Sequence, residues 1–182
     1  MAVREKSQLM SSTEIDRTLV RLAHEIIERN NGAEGLALVG IRRRGANLAD
    51  RLAARIGEIE KTILPLAALD ITFYRDDLSR IDHQPVVKPQ PLPFAIAGRV
   101  VVLVDDVLYT GRTTRAALNA LLDNGRPRRV ELCVLIDRGH RELPIQANYV
   151  GRHVQTSLHE VIEVRLLEVD GEERVLLSES DG

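Results

Sequence analysis

The chain has 182 residues, 44% of them apolar and 3% aromatic, with 25 Lys plus Arg against 27 Asp plus Glu and a formal net charge of -2. A single domain of this size buries roughly 70% of the surface its unfolded chain exposes and needs no disulfide or metal staple. Near-neutral charge and the absence of Trp argue against partners held by global positive charge or by rows of stacking aromatics.

The one cysteine, Cys133 in the apolar run VELCVLI, excludes a disulfide and a Cys-rich zinc site and reads as a small buried hydrophobe in a reducing compartment. No run approaches the roughly 18 apolar residues of a membrane span, and MAVREKSQLMSS has no apolar signal region, so a cytoplasmic protein without a membrane partner is expected. Of the 25 basic residues 22 are Arg. That choice suits bidentate phosphate contacts, although codon bias produces the same preference.

Residues 1–12 carry no clear pattern and are read as a poorly ordered arm of a single domain spanning 1–182. Ser12 or Thr13 caps a helix through about Arg29, with Ile15, Leu19, Leu22, Ala23, Ile26 and Ile27 on one face and Asn30 to Gly32 as its stop. A short strand, Leu36 to Ile41, leads through the basic turn Arg42 to Gly45 into a helix over Ala46 to Ile56 that ends at Gly57. Ile63 to Tyr74 reads as a long strand. Arg75 to Pro93 is polar and interrupted by prolines, which marks a mobile lid. Arg99 to Val104 is β-branched and apolar on both faces, as a central parallel strand requires. A helix over Thr113 to Asn124 and a buried strand over Val130 to Ile136 follow. Val161 to Val169 and Arg174 to Leu177 flank Asp170-Gly171 as an antiparallel hairpin. Strands alternating with helices predict an α/β fold with a mostly parallel central sheet flanked by helices.

The informative stretch is VVLVDDVLYTGRTT, residues 101–114. A buried strand runs into two carboxylates, and ligands in open α/β sheets bind outside the carboxyl ends of strands. Tyr109, Thr110, Gly111, Arg112 and Thr113 then supply backbone N–H groups, hydroxyls and a helix N-terminus, the parts of a phosphate cradle. The spacing is neither that of a P-loop nor GxGxxG.

This stretch resembles the phosphoribosyl pyrophosphate (PRPP) motif of type I phosphoribosyltransferases. With LVGIRRRG (38–45), LDITFYRDDL (69–78) and IDRGHRELPIQANYVGRHVQTS (136–157), the chain resembles the PyrR family of bifunctional pyrimidine operon regulators and uracil phosphoribosyltransferases. The resemblance implies the type I phosphoribosyltransferase fold with a flexible loop, and the conversion of uracil and PRPP to uridine monophosphate and pyrophosphate. It also implies uridine-nucleotide-dependent binding to a stem-loop of pyrimidine-operon messenger RNA, in a homo-oligomer, dimer or tetramer.

Residue by residue, the resemblance gives Asp105 and Asp106 the ribose hydroxyls and the charge developing at C1′, and Tyr109 to Thr113 the 5′-phosphate. Arg43, Arg44, Gly45 and Arg75 would meet pyrophosphate, Arg138 the nucleotide or uracil, and Arg21, His24, Arg29 and Arg141 the RNA. Mg²⁺ is expected, held mostly by PRPP oxygens and water since no protein cage is visible. His140 is open between a proton shuttle and a structural hydrogen-bonding role. The chain departs from the family at Arg43, commonly Thr, at Gln146 and Asn148, usually Arg and Asp, and at Gln155, usually Pro. Two alternatives stay open: an RNA-binding regulator with little catalysis, and a purine phosphoribosyltransferase.

Overall fold

A computed structural model of the chain describes residues 3–78 and 90–180. In chain order the elements are β1 (Val3–Ser11), α1 (Ser12–Asn30), β2 (Leu36–Ile41), α2 (Arg44–Glu60), β3 (Leu66–Leu69), β4 (Val100–Leu108), α3 (Arg112–Leu122), β5 (Arg129–Asp137), β6 (Tyr149–His153), β7 (Glu160–Arg165), α4 (Leu167–Asp170) and β8 (Arg174–Ser180). Five strands form a parallel sheet in the order β3-β2-β4-β5-β6, and three form an antiparallel sheet in the order β1-β8-β7. The α/β architecture expected from the sequence is therefore present, with the terminal hairpin enlarged by the first strand.

β4 lies at the centre, and Val100 to Val104 are buried on both faces. Even positions Val100, Val102 and Val104 join the cluster with α1, α2 and the antiparallel sheet, whereas Val101 and Leu103 face the opposite cluster under α3. α1 is held at its start by Ser11, whose side chain accepts from Glu14 N while the Glu14 carboxylate accepts from Ser11 N. Its buried stripe of Ile15, Leu19, Leu22, Ala23 and Ile26 is the one the spacing predicts.

Several expectations need correction. Residues 3–11 of the presumed arm are a strand, paired with β8 from Val3–Ser180 to Ser11–Arg174. Because β1 is an edge strand and, among its described side chains, Met10 alone is buried, it lacks the alternation that marks a half-buried strand. The long strand read over Ile63 to Tyr74 shrinks to β3, because the Asp70 carboxylate accepts from Thr72 N and Oγ1 at 2.9 and 2.6 Å and turns the chain away. α2 passes through Gly57 to Glu60, and a Cβ at Gly57 would lie 2.6 Å from the Thr62 carbonyl, so this glycine admits the returning chain and does not end the helix. The strand read to Val169 stops at Arg165, and a helical turn precedes Gly171. β6, unread in the sequence, is a short edge strand with exposed Arg152 and His153. Of the segment read as a lid, residues 79–89 lie outside the described residues.

At the end of the sheet where β5 starts, the buried Glu131 carboxylate accepts from Tyr149 Oη at 2.5 Å, Asn30 Nδ2 at 3.1 Å and Arg129 Nε at 2.9 Å. Burial pushes its carboxyl up, but these three donors together outweigh burial and hold it below its ordinary value. A carboxyl depressed in the fold stabilises above its unfolded pKa, and that stabilisation is lost as pH falls through the folded value. Glu131→Gln is therefore expected to cost about 1–3 kcal/mol at neutral pH. In urea titrations the gap to wild type should narrow below about pH 4.

Candidate active site

The ladder between β2 and β4 ends at Gly40–Val104, whereas β4 runs on beside β5 to Leu108–Asp137. Asp105 and Asp106 occupy this step, where one neighbouring strand has ended. The chain leaving β2 turns at Arg42 and Arg43, joined by a cis peptide, and enters α2 at Arg44. Two glycines let this crossover sit directly on the sheet, Gly40 where it passes over β2 and Gly45 where it meets β4. A Cβ at Gly40 would lie 2.4 Å from Ala46 Cα, and one at Gly45 would lie 2.5 Å from the Val104 carbonyl and 3.3 Å from Asp105 Oδ1.

Asp105 is thereby buried. Desolvation first, and the adjacent Asp106 second, push its carboxyl well above the usual range. Asp105 Oδ1 accepts from Asp106 N at 2.9 Å, and Asp106 Oδ1 from Val107 N at 2.8 Å, which aims the second carboxylate along the strand end. Beyond them, Tyr109 to Gly111 form a tight turn with Gly111 at φ +90°, and α3 begins at Arg112. The opening amides of α3 and the Thr110 and Thr113 hydroxyls supply the donors of an anion cradle.

A cleft of about 510 Å³ joins these parts. It is lined by Arg42, Arg43, Arg44, Arg75, Asp70, Thr72, Asp105, Asp106 and Thr113, so the basic turn, the acid pair and the start of α3 face one space. A second cleft of about 460 Å³ shares Arg44 and Asp106 with it and reaches β7 and Asp170. Arg44 donates to Asp170 at 3.2 and 2.7 Å, and this bond raises its pKa and ties the basic turn to the antiparallel sheet. Arg42, Asp70 and Thr72 are given no role of their own by the sequence, in which LDIT reads as part of the strand over Ile63 to Tyr74 and of a motif that carries the family resemblance. Gly45, expected to meet a ligand, is the packing contact that buries Asp105.

The other expected residues divide. Arg112 contributes its backbone to the turn, but its guanidinium donates to Glu142 and Asp76 at 2.5 and 2.6 Å. Arg75 pairs with Asp77. Arg138 is buried over the Tyr109 ring at 3.9 Å and donates to Thr156 Oγ1 and the Ser157 carbonyl, each at 3.2 Å. It lines neither cleft but fixes the loop after β5 to the Tyr109–Gly111 turn. His140 Nε2 stands 2.6 Å from the Thr156 carbonyl, which can only accept, so Nε2 is the donor of this hydrogen bond.

Arg141 donates to the carbonyls of Ile145, Tyr109 and Gly139 and, at 2.6 Å, to the Asp137 carboxylate. The guanidinium placed at an RNA surface by the resemblance is thus committed within the protein. Arg21 is exposed but donates to Glu25 at 2.7 Å and to the Gly151 carbonyl of β6 at 2.5 Å, His24 is exposed, and Arg29 stands over the Tyr149 ring at 5.7 Å. None of these three lines either cleft.

Residues 7–168 match the family model of the phosphoribosyl transferase domain. The chain is 60% identical over 177 residues to a bifunctional protein PyrR of Pelotomaculum thermopropionicum, covering 97% of this chain and 98% of that one. It is 57% identical over 180 residues to the bifunctional protein PyrR of Thermus aquaticus, covering 99% of each. Among solved structures, the hypoxanthine phosphoribosyltransferase of Trypanosoma cruzi superposes with a TM-score of 0.73 at 15% identity, covering 97% of this chain and 98% of that one, a likeness of fold alone.

The packing of Gly45 has a direct consequence. Gly45→Ala brings a Cβ against strand backbone that cannot rotate away, and should cost about 1–3 kcal/mol of unfolding free energy. Chemical denaturation measures it; Ala at Gly98, where a Cβ would meet nothing within 4 Å but φ is +72°, reports the backbone penalty alone.

Proposed function

Because the chain belongs to the phosphoribosyltransferase family and, within it, to the PyrR proteins, we propose that it transfers the phosphoribosyl group of PRPP to uracil and also regulates pyrimidine synthesis by binding messenger RNA. The observation that carries the catalytic reading is the acid pair Asp105-Asp106 facing, in one cleft, an arginine-rich turn on one side and a helix N-terminus on the other. PRPP has the matching parts: two ribose hydroxyls between a pyrophosphate and a 5′-phosphate.

In the transfer, a ring nitrogen of uracil forms a bond to C1′ and gives up its proton to water, while the bond from C1′ to the pyrophosphate oxygen breaks with its electron pair kept by the pyrophosphate. Positive charge grows at C1′ between the two events. Asp105 and Asp106 accept hydrogen bonds from the 2′ and 3′ hydroxyls and stabilise that charge where it develops. The amides of Thr110 to Thr113 and their hydroxyls hold the 5′-phosphate, which fixes the sugar for in-line attack. Arg43, Arg44 and Arg75 receive the leaving pyrophosphate. Arg138, packed on Tyr109, sets the wall beside the base.

Phosphoribosyltransferases use Mg²⁺ with PRPP. Among the described residues no three His, Cys, Asp or Glu side chains converge as a metal cage. The acids that line the cleft, Asp70, Asp105 and Asp106, offer hard oxygen donors to an ion that keeps most of its water and substrate oxygens. The residues therefore fit Mg²⁺ brought in with PRPP, with Asp105 and Asp106 as its protein-side anions. When bound, the ion neutralises charge on the pyrophosphate oxygens.

The regulatory reading rests on α1, where Arg17, Arg21 and His24 share an outward, exposed face. At a net charge of -2, RNA must be held by a local patch, and a two-fold pair of subunits would present that patch twice to one stem. We place this homo-oligomer in the cytoplasm.

Asp105→Asn and Asp106→Asn should each lower uracil turnover by at least about tenfold. An acid whose folded pKa is raised loses stability as pH rises from its unfolded value towards the folded one, so removing the charge at 105 relieves the fold. Asp105→Asn should therefore melt no lower than wild type at pH 7 while losing activity. Assays with uracil, hypoxanthine, guanine and orotate, paired with melting curves, check this; turnover of hypoxanthine in preference to uracil would favour the purine reading.

For RNA, filter binding of a pyrimidine-operon stem-loop at several salt concentrations should show affinity falling with salt and rising with uridine monophosphate. Arg21→Ala should flatten the salt slope by about 0.7–0.9 units and leave uracil turnover unchanged. Equal affinity for a scrambled hairpin in every condition would contradict the reading.

A further inference from the structure

Arg112 stands in the phosphate turn, yet its charged end points away from the cleft. The guanidinium joins two segments through charge. One is the stretch Thr72–Asp77, reached through Asp76 at 2.6 Å; the other is the loop after β5, reached through Glu142 at 2.5 Å. Arg115, one turn along α3, adds a second guanidinium 3.5 Å from Asp76.

Both segments contribute to the site. Thr72 and Arg75, on the Asp76 side, line the main cleft. On the Glu142 side, the N–H groups of Glu142 and Leu143 both donate to the Thr110 carbonyl at 2.9 and 3.1 Å, and Arg138 and Arg141 grip Tyr109. The phosphate turn is thus clamped between the two, and Arg112 spans the outside of the clamp.

We infer that Asp76 and Glu142 are positioning residues for phosphoribosyl transfer: by sharing the Arg112 guanidinium, they hold Thr72 and Arg75 on one side and the loop after β5 on the other at a fixed spacing across the phosphate turn. Neither carboxylate lines a cleft, so both act through Arg112. The inference rests on the reading of the cleft as a phosphoribosyl-transfer site.

Charge and position make opposite forecasts, which allows a clean test. If Asp76 acted only as a charge, its loss would leave Arg112 and Arg115 more positive beside the 5′-phosphate and would lower the KM for PRPP. If it positions Thr72 and Arg75, its loss raises that KM. Exposed ion pairs are individually weak, and a shared guanidinium couples two of them, so Asp76→Asn should raise the KM for PRPP about three- to tenfold with kcat changed by less than about twofold.

Steady-state kinetics on the full chain, in both substrates, would compare wild type with Asp76→Asn, Asp76→Glu, Glu142→Gln and the double variant Asp76→Asn/Glu142→Gln. Asp76→Glu is expected to recover most of the loss. Glu142→Gln is expected to raise the KM for uracil, a neutral substrate, and the double variant to lose less than the product of the two. A PRPP titration by calorimetry accompanies the kinetics, with Kd for Asp76→Asn expected to rise in parallel. An unchanged or lowered KM and Kd for PRPP in Asp76→Asn overturns the inference, as does a fall in kcat and melting temperature that Asp76→Glu does not repair. Absence of uracil turnover in wild type overturns the functional reading, and the titration then decides the positioning role by itself.

Discussion

Two adjacent carboxylates at the end of a buried strand set the terms for everything around them. Ionised and unpaired in an apolar sheet they would be costly, and here the cost is limited by geometry. β2 stops at the register of Val104, so Asp105 and Asp106 emerge at a step in the sheet and not inside it. Asp105 is nevertheless roofed by the crossover into α2, through the contact that only a glycine at 45 permits. The pair is thus half sheltered and half presented: one carboxyl is biased towards its protonated form, and the other faces the cleft. A ligand that brings hydroxyl donors or a cation to this step relieves a strain that the free protein carries.

The rest of the site is arranged by what it must hold in register with that pair. The basic turn is tied to the antiparallel sheet by Arg44 and Asp170, and the loop after β5 is tied to the Tyr109–Gly111 turn by Arg138 on Tyr109 and by the bond from Arg141 to the Tyr109 carbonyl. These bonds run between loops, where packing contributes little, and they use arginine because one planar guanidinium can satisfy several acceptors at once. The abundance of Arg has a structural use here, beyond any taste for phosphate. Arg141, Arg138 and the side chain of Arg112 are scaffolding as much as surface.

What was legible in the sequence follows from how strongly each segment is patterned. β2, β4 up to Val104 and β5 are buried on both faces and read as apolar runs, broken in β5 by Glu131, and α1 announces itself by its stripe and its stop. The acid pair and the TGRTT turn are contiguous, so their chemistry is readable without the fold. β1 and β6 are edge strands with polar exposed positions, and nothing local distinguishes them from loops. The end of β3 depends on the Asp70 carboxylate capturing Thr72, a side-chain event inside a run that looks like strand. Most of all, a sequence does not say how far each arginine is spoken for: Arg141 and Arg21 look alike in one dimension, while one is bound to four acceptors and the other, on an exposed helix position, to Glu25 and the Gly151 carbonyl.

The burial of Asp105 against Asp106 is the feature on which this account stands, and it has a spectroscopic signature. Carboxyl ¹³C shifts of aspartate-labelled protein, followed against pH in the free state, would report Asp105 directly. The expected result is a titration well above the ordinary value of 3.8, moving down in Asp106→Asn as the neighbouring charge is removed. An Asp105 carboxyl that titrates in the usual carboxylate range, and does not respond to Asp106→Asn, would contradict it.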